Sequence, residues 1–540
     1  MRPSRDAGAP FVISHRFQEA AFLVRTTSLL RYVPLVACLL LATLLLWWHP
    51  SRVVSAVLVA VAYLAVCGHF LRRSLARAQR TPGADGNALL IGYASQGDTA
   101  RTLAERSAQQ LREAGVAVDM QPLNGLDFTI LGQPRRALFI LSTYGEGEAP
   151  DNAARFERAL LNTPLDLSSL EYAVLALGDQ HYRHFCGFGR RIDTRLRSLG
   201  AQPLFDRLEA DRADPGTLRH WQQQLGHISG RSDFIDWQPA AYQPWKLARR
   251  ALLNPGSQGA PVYQLAMLPP DTAQHWQAGD IAEVGPRNAL VDVERLLRRL
   301  GFDPSQPVEG GESLATALLN RRLPQDADGA DLATLLALPR LPHREYSIAS
   351  IPAEGHVALI VREARHPDGR LGVGSGWLCR HAAIGSTIDL RIRSNPGFHG
   401  LDLTRPMILI GNGTGIAGLR AHLRERAAMT ASRNWLLYGE RNAAHDQLLR
   451  QELEAWAQTG HLERIDLAFS RDQQAKVYVQ HLLRDAAEDV RRWVTAGACI
   501  YLCGSLEGMG REVQQILAGV LGEDQLQQLE DEGRYRRDLY

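Results

Sequence analysis

Three loops between Ser95 and Phe185 carry residues able to hold a flat, phosphorylated ligand. Ser95-Gln96-Gly97-Asp98-Thr99 follows the apolar run Leu89-Leu90-Ile91. Hydroxyls and a glycine at the mouth of a helix offer donors and backbone N–H groups to a phosphate, although an ordinary helix cap uses the same residues. Ser142-Thr143-Tyr144-Gly145-Glu146-Gly147-Glu148 adds glycines that let backbone approach a planar ring, and Tyr144 as a face to stack on it. Leu177-Gly178-Asp179-Gln180-His181-Tyr182, with Phe185 just beyond, supplies a second aromatic after a third apolar run. One such loop means little. Three in order predict a flavin mononucleotide (FMN) site built from Ser95, Gln96, Gly97, Thr99, Ser142, Thr143, Tyr144, Gly145, Gly147, Leu177, Gly178, Asp179, Tyr182 and Phe185. Glu146, Glu148 and Asp179 would give its exposed edge a negative rim able to steer a basic partner.

A second group of segments lies beyond residue 340. In Arg344-Glu345-Tyr346-Ser347 a guanidinium, an aromatic face and a hydroxyl sit on one short extended run. That set suits a ring-bearing diphosphate, and an exposed edge strand is the bland alternative. Gly372-Val373-Gly374-Ser375-Gly376 is a glycine-rich turn. Met407-Ile408-Leu409-Ile410 runs into Gly411-Asn412-Gly413-Thr414-Gly415-Ile416-Ala417. This is the strand, glycine loop and helix that a dinucleotide diphosphate requires. Cys499-Ile500-Tyr501-Leu502-Cys503-Gly504 is a strand ending at a glycine, where a small buried thiol is the plain structural reading. The sequence closes on Asp538-Leu539-Tyr540.

The elements that position these residues follow from hydrophobic patterning. Ala88–Ile91, Ala137–Leu141 and Tyr172–Leu177 are apolar runs separated by helical-period segments, Thr99–Ala114 and Asn152–Leu161. Such alternation predicts a doubly wound α/β sheet with ligands at the carboxyl ends of its strands. We expect a first soluble domain over 87–228, a linker over 229–256 and a β-barrel over 257–402 that carries a helical insertion at about 291–342. A second α/β domain is expected over 403–540. Residues 1–80 differ: Val33–Trp48 and Val53–Phe70 are free of charge, and arginines flank both outer ends. Two transmembrane helices at about 32–48 and 53–71 are expected, with the N-terminus and the soluble domains on the cytoplasmic side of the inner membrane. The net charge of +2, from 60 basic and 58 acidic residues, argues against a nucleic-acid partner. The six cysteines show no paired metal spacing, and no metal is expected.

The part of the chain from Ala88 onward resembles the diflavin reductases. Ala88 to about Leu208 is similar to their flavodoxin-like FMN domain, and the remainder to their ferredoxin-NADP reductase-like module. Ser470-Arg471-Asp472-Gln473 with Lys476-Val477-Tyr478 looks closest to the flavoprotein subunit of sulfite reductase, with cytochrome P450 reductase more distant. The resemblance implies FAD, FMN and NADPH as cofactors. It implies that Arg344, Tyr346, Ser347, Gly374, Ser375 and Tyr540 serve FAD. Gly413, Thr414, Gly415, Ser470, Arg471, Lys476, Tyr478 and Cys503 would serve NADPH, with Ser470, Arg471 and Lys476 on its 2′-phosphate. Ser347, Cys503 and Asp538 would arrange hydride transfer, and Tyr540 would cover the FAD ring until nicotinamide displaces it.

Three departures stand out. The phosphate loop has Gly97-Asp98-Thr99 where Thr-Gly-Asn is usual, which sets a carboxylate beside a phosphate. Gly418 replaces a usual proline, a change expected to loosen the helix start. The insertion is about half the usual length. The expected function is a membrane-anchored NADPH-dependent reductase passing electrons through FAD and FMN to a haemoprotein or redox protein. The alternatives are direct reduction of a ferric siderophore or chelate, and a flavin-binding docking module whose catalysis has decayed.

Overall fold

The computed structural model describes residues 88–540 apart from 96–97, 127, 134, 151, 232–233, 235, 238–240, 271–274, 325–328 and 432. The expected membrane hairpin lies outside the described residues. Among the described residues no helix is long and apolar enough to cross a membrane.

Strands β1 (Leu89–Ala94), β2 (Val118–Pro122), β3 (Arg135–Ser142), β4 (Leu170–Gly178), β5 (Gln202–Pro203) and β6 (Leu208–Asp211) form a parallel sheet in the order β2-β1-β3-β4-β5, with β6 also on β4. Its inner strands are apolar on both faces because helices cover both. Leu138 and Ile140 face α1 (Thr99–Glu113) with Leu103 and Leu111, whereas Phe139 and Leu141 face α2 (Ala154–Asn162) and α3 (Gly187–Ser198) with Phe156, Phe188 and Ile192. The period-two alternation along β3 divides the two cores. Helix α4 (Pro215–Ser229) closes the domain: Trp221 is buried against the α1 side and donates to Ser107 Oγ at 3.0 Å.

The second sheet comprises β7 (Gln243–Leu252), β8 (Val262–Leu268), β9 (Ile281–Gly285), β10 (Arg344–Ser347), β11 (Val357–Arg362) and β12 (Thr387–Arg393). All its pairs are antiparallel, in the order β10-β9-β12-β7-β8-β11, and an Ile348–Leu359 bridge brings its two ends together as a barrel. Strand β7 falls inside the stretch expected to be linker. Its Trp245 and Leu247 are fully buried and alternate with exposed Lys246, a two-residue period hidden among the surrounding polar residues. The insertion folds as three short helices, α5 (Leu290–Arg299), α6 (Leu314–Leu318) and α7 (Leu332–Leu336), around a core of its own that includes Val293, Leu297, Leu314 and Leu335.

The third sheet is parallel throughout: β13 (Met407–Asn412), β14 (Asn434–Glu440), β15 (Leu462–Phe469), β16 (Cys499–Gly504) and β17 (Tyr535–Leu539), ordered β15-β14-β13-β16-β17. One face packs the helices that follow β13 and β14, through Leu419 and Trp456 among others. The opposite face packs Leu483, Trp493, Leu517 and Leu529 from the C-terminal helices.

A buried ionic cluster ties the first domain together. Asp193 on α3 accepts from Tyr172 Oη at 2.6 Å and pairs with Arg197 at 3.3 Å and with Arg207. Burial alone would raise its pKa, but the two guanidinium groups and the Tyr172 hydrogen bond win and hold it at about 2. A carboxyl depressed from its unfolded value of about 3.9 contributes stability that is complete above that value and is lost as pH falls toward 2. Asp193→Asn should cost about 3 kcal/mol at neutral pH, because Arg197 and Arg207 lose the carboxylate they share and keep only Asp206 and Glu209. Urea denaturation of variant and parent at pH 7 and pH 3 checks this, with the gap between them expected to narrow at the lower pH.

Candidate active site

Both parallel sheets carry their chemistry-bearing loops at the carboxyl ends of the strands, where the fold leaves a crevice. In the first domain, Asn152 Oδ1 accepts from the Ser95 N–H at 3.0 Å and so joins the loop after β1 to the one after β3. Thr99 opens α1, and Asp98 before it is exposed and makes no side-chain cap bond, so solvent reaches its carboxylate. Gln96 and Gly97 lie outside the described residues. Ser142 ends β3, and the Thr143 N–H donates to Leu177 O at 2.8 Å. Thr143 Oγ1 is buried without a hydrogen-bond partner, as a hydroxyl awaiting a ligand would be.

Tyr144 and Glu148 exchange backbone hydrogen bonds at 2.8 and 2.9 Å across a turn in which Gly145 (φ +52°) and Gly147 (φ +126°) take the left-handed conformations it needs. Tyr144 and Tyr182 are 54% and 48% exposed on the loops after adjacent strands β3 and β4, two aromatic faces open for stacking. Gly178 is pressed against the Cys186 backbone, 2.8 Å from where a Cβ would be. Phe185 packs against the core, with Arg190 over its ring. The expected negative rim is broken up as well. Asp179 Oδ1 lies 2.6 Å from His181 Nδ1, Glu146 accepts from the Arg183 N–H, and exposed His181, Arg183 and His184 interleave with the carboxylates.

In the barrel, Gly374 lies in the single turn Val373–Gly376, and a Cβ there would meet Arg344 Cγ at 2.6 Å and Tyr346 Oη at 2.8 Å. Only glycine leaves a cradle beside these two side chains. Arg344 Nη1 donates to the Pro342 and His343 carbonyls, which fixes its guanidinium. Ser375 Oγ is committed to the loop, accepting from the Ala364 N–H at 3.0 Å.

The residues expected to arrange hydride transfer come together from three strands. Ser347 Oγ on β10 donates to Asp538 Oδ2 on β17 at 2.7 Å, and Cys503 Sγ on β16 lies 3.6 Å from the same oxygen. Burial raises the Asp538 carboxyl above its ordinary value, opposed by the Ser347 hydrogen bond. Burial, then the neighbouring Asp538, drives the Cys503 thiol far up, so it remains protonated and able to donate. Helix α8 (Ile416–Ala428) leans directly on this group: a Cβ at Gly418 would lie 3.2 Å from both Cys503 Sγ and the Phe398 ring. Gly418 is thus a close-contact residue in a continuous helix.

Beside this group a cleft of about 630 Å³ runs along the ends of β13, β14 and β16. Gly413 (φ +56°) and Gly415 turn the loop back on β16; a Cβ at Gly415 would sit 2.2 Å from Cys503 O. Thr414 Oγ1 and Tyr540 Oη are 3.1 Å apart, which lays the terminal ring, 51% exposed, across the cleft mouth. Ser470, Arg471 and Tyr478 line the far end, and Lys476 does not. Arg441 is on the lining, and its carbonyl accepts from the Arg471 N–H at 2.7 Å. Arg441 was detectable: it is the first residue past β14, at the carboxyl end of a strand neighbouring the dinucleotide loop. Arg362, paired with buried Glu440 at 2.6 Å, was not, because its partner is 78 residues away.

A flavodoxin family model matches residues 91–221, and an oxidoreductase NAD-binding domain model matches 409–515. The sulfite reductase [NADPH] flavoprotein alpha-component of Neisseria meningitidis serogroup C is 30% identical over 552 residues, covering 85% of this chain and 90% of its own. The Vibrio cholerae protein of the same name is 29% identical, covering 86% and 89%, and that of Cronobacter sakazakii 30%, covering 86% and 92%. A crevice framed by two tyrosines, a glycine cradle beside Arg344 and Tyr346, and a dinucleotide cleft meeting Ser347, Cys503 and Asp538 agree with that likeness. The chain belongs to the diflavin reductase family, as an NADPH-dependent flavoprotein oxidoreductase whose cofactors are FAD and FMN.

Proposed function

We propose that the protein is a membrane-anchored electron donor, taking hydride from NADPH at the third domain and delivering single electrons from the first to a haemoprotein or redox protein. The observation that carries the first half is the meeting of Ser347, Cys503 and Asp538 at the end of the dinucleotide cleft. The flavins, when bound, supply the conversion of a two-electron input into one-electron output. The chain's own part is positional and electrostatic. Arg441, Arg471 and Ser470 form a polar, cationic end to the cleft that suits a 2′-phosphate. The glycine loop at Gly413–Gly415 lets the diphosphate approach backbone. Tyr540 lies across the cleft mouth and moves aside for the nicotinamide. Asp538 Oδ2 holds the Ser347 hydroxyl and Cys503 thiol in fixed directions around the reacting ring. At the other end, exposed Tyr144 and Tyr182 suit an FMN whose edge faces outward, where a protein acceptor can approach.

The anchoring rests on the two charge-free runs before residue 72, flanked by arginines, which support a hairpin in the inner membrane with both ends in the cytoplasm. After high-salt and alkaline washing, the full chain should stay with the membrane fraction. A chain starting at residue 86 should appear in the supernatant with its NADPH–ferricyanide activity retained. Release of the full chain by washing would refute the anchor.

Arg441→Ala and Arg471→Ala should each raise the KM for NADPH about ten- to hundredfold while leaving that for NADH unchanged, since each removes a charge-assisted hydrogen bond. Lys476→Ala should change either KM less than threefold, a small effect by comparison with about 1.4 kcal/mol per tenfold. Steady-state oxidation of both nucleotides with ferricyanide measures all three.

A further inference from the structure

The flavodoxin-like domain reaches each of the three strands that make up the hydride-transfer group. On β10, Glu345 lies two residues from Ser347 and so shares its strand face. His220 Nδ1, from α4, lies 2.6 Å from Glu345 Oε2. Just past β16, Leu506 follows Cys503 by three residues and packs into the flavodoxin-side core with Trp221 and Leu225. On β17, Arg537 sits beside Asp538 and pairs with Asp206 of the flavodoxin-like domain at 3.1 Å. Arg537 is held also by Glu530 at 3.2 Å and by Gln514 at 2.7 Å.

The β10 contact belongs to a buried network. Arg393 Nη2 lies 3.0 Å from Glu345, Arg219 of α4 lies 3.2 Å from Glu283, and Arg391 also pairs with Glu283. His343 adds contacts to Glu345 at 3.6 Å and to Asp236 at 3.2 Å. Gly216, in the first turn of α4, leaves room for Arg393 at 3.1 Å. Glu283, His343 and Glu345 lie close enough together to hold a metal ion. Three guanidinium groups already face the two carboxylates, however, so a divalent cation would meet net repulsion. The network therefore acts as an ionic clamp between domains.

We propose that His220 and Asp206 are positioning residues for hydride transfer: the docked flavodoxin-like domain holds β10 and β17 in the register that brings Ser347 onto Asp538. The inference rests on reading Ser347, Cys503 and Asp538 as the hydride-transfer group. When the domain undocks, both strands lose a charged partner, and the group loosens. Electron exit and hydride entry are thereby coupled through geometry, without a ligand in between.

The test uses the full chain with both flavins bound, mixed rapidly with NADPH and with NADPH deuterated at the transferred position. For the His220→Gln/Asp206→Asn double variant, flavin reduction should slow about tenfold, with a larger isotope effect and an unchanged KM for NADPH. Asp206→Glu should restore most of the rate to a variant carrying only the Asp206 change. Should the double variant lose flavin, Asp206→Asn alone carries the test, read against Asp206→Glu. A parental rate and isotope effect, with both flavins retained, would overturn the proposal and leave the contacts as docking only. Asp538→Asn serves as the reference. If it too reduces flavin at the parental rate, the reading of the hydride-transfer group itself fails.

Discussion

The hydrogen bond from Ser347 Oγ to Asp538 Oδ2, 2.7 Å long, spans 191 residues of chain and joins the barrel to the last strand of the third sheet. A carboxylate in so buried a place is costly unless its lone pairs are met. Here the hydroxyl of one domain and, at 3.6 Å, the thiol of Cys503 meet the same oxygen. Holding that oxygen in place requires β17 to lie beside β16, β16 to lie beside β13, and the glycine loop after β13 to pass within contact of Cys503. Much of the third domain's local sequence serves this approach. Gly411 and Gly415 are glycines because the Cys503 carbonyl occupies the space a side chain would need.

Charge does comparable work between domains. Glu283 and Glu345 are buried among Arg219, Arg391 and Arg393, and Arg537 is buried between Asp206 and Glu530. Such clusters are weak sources of net stability, since desolvation offsets most of the attraction, but breaking one by losing a partner is expensive. That asymmetry suits an interface that must choose one geometry. The same physics recurs within the first domain at Asp193, where one carboxylate satisfies Tyr172, Arg197 and Arg207.

Much of this was legible in the sequence wherever chemistry coincided with local pattern. The loops after β1, β3 and β4 were readable because each follows an apolar run, and the Met407–Ala417 segment because strand, glycine and helix are contiguous. Strand β7 was obscured by proline and charge, with only Trp245 and Leu247 marking its buried face. That Phe185 packs against the core was not legible, because it depends on how the loop curls over Cys186. Arg441 went unread because a cleft is lined by strand ends that are distant in sequence. The clamp around Glu345 was invisible for the same reason: its partners come from Arg219, His220, Glu283, His343 and Arg393, and no spacing announces them.

The proposed role of Asp538, held by Ser347 and Cys503, is to organise hydride transfer. It is tested most directly by the rate at which NADPH bleaches flavin absorbance on rapid mixing with Asp538→Asn, under conditions where both flavins remain bound. Asparagine keeps the size and loses the charge, so the account expects the rate to fall by about tenfold to a hundredfold, with NADPH binding little changed. A variant that reduces flavin as fast as the parent would contradict the account, because the buried carboxylate would then be structural alone.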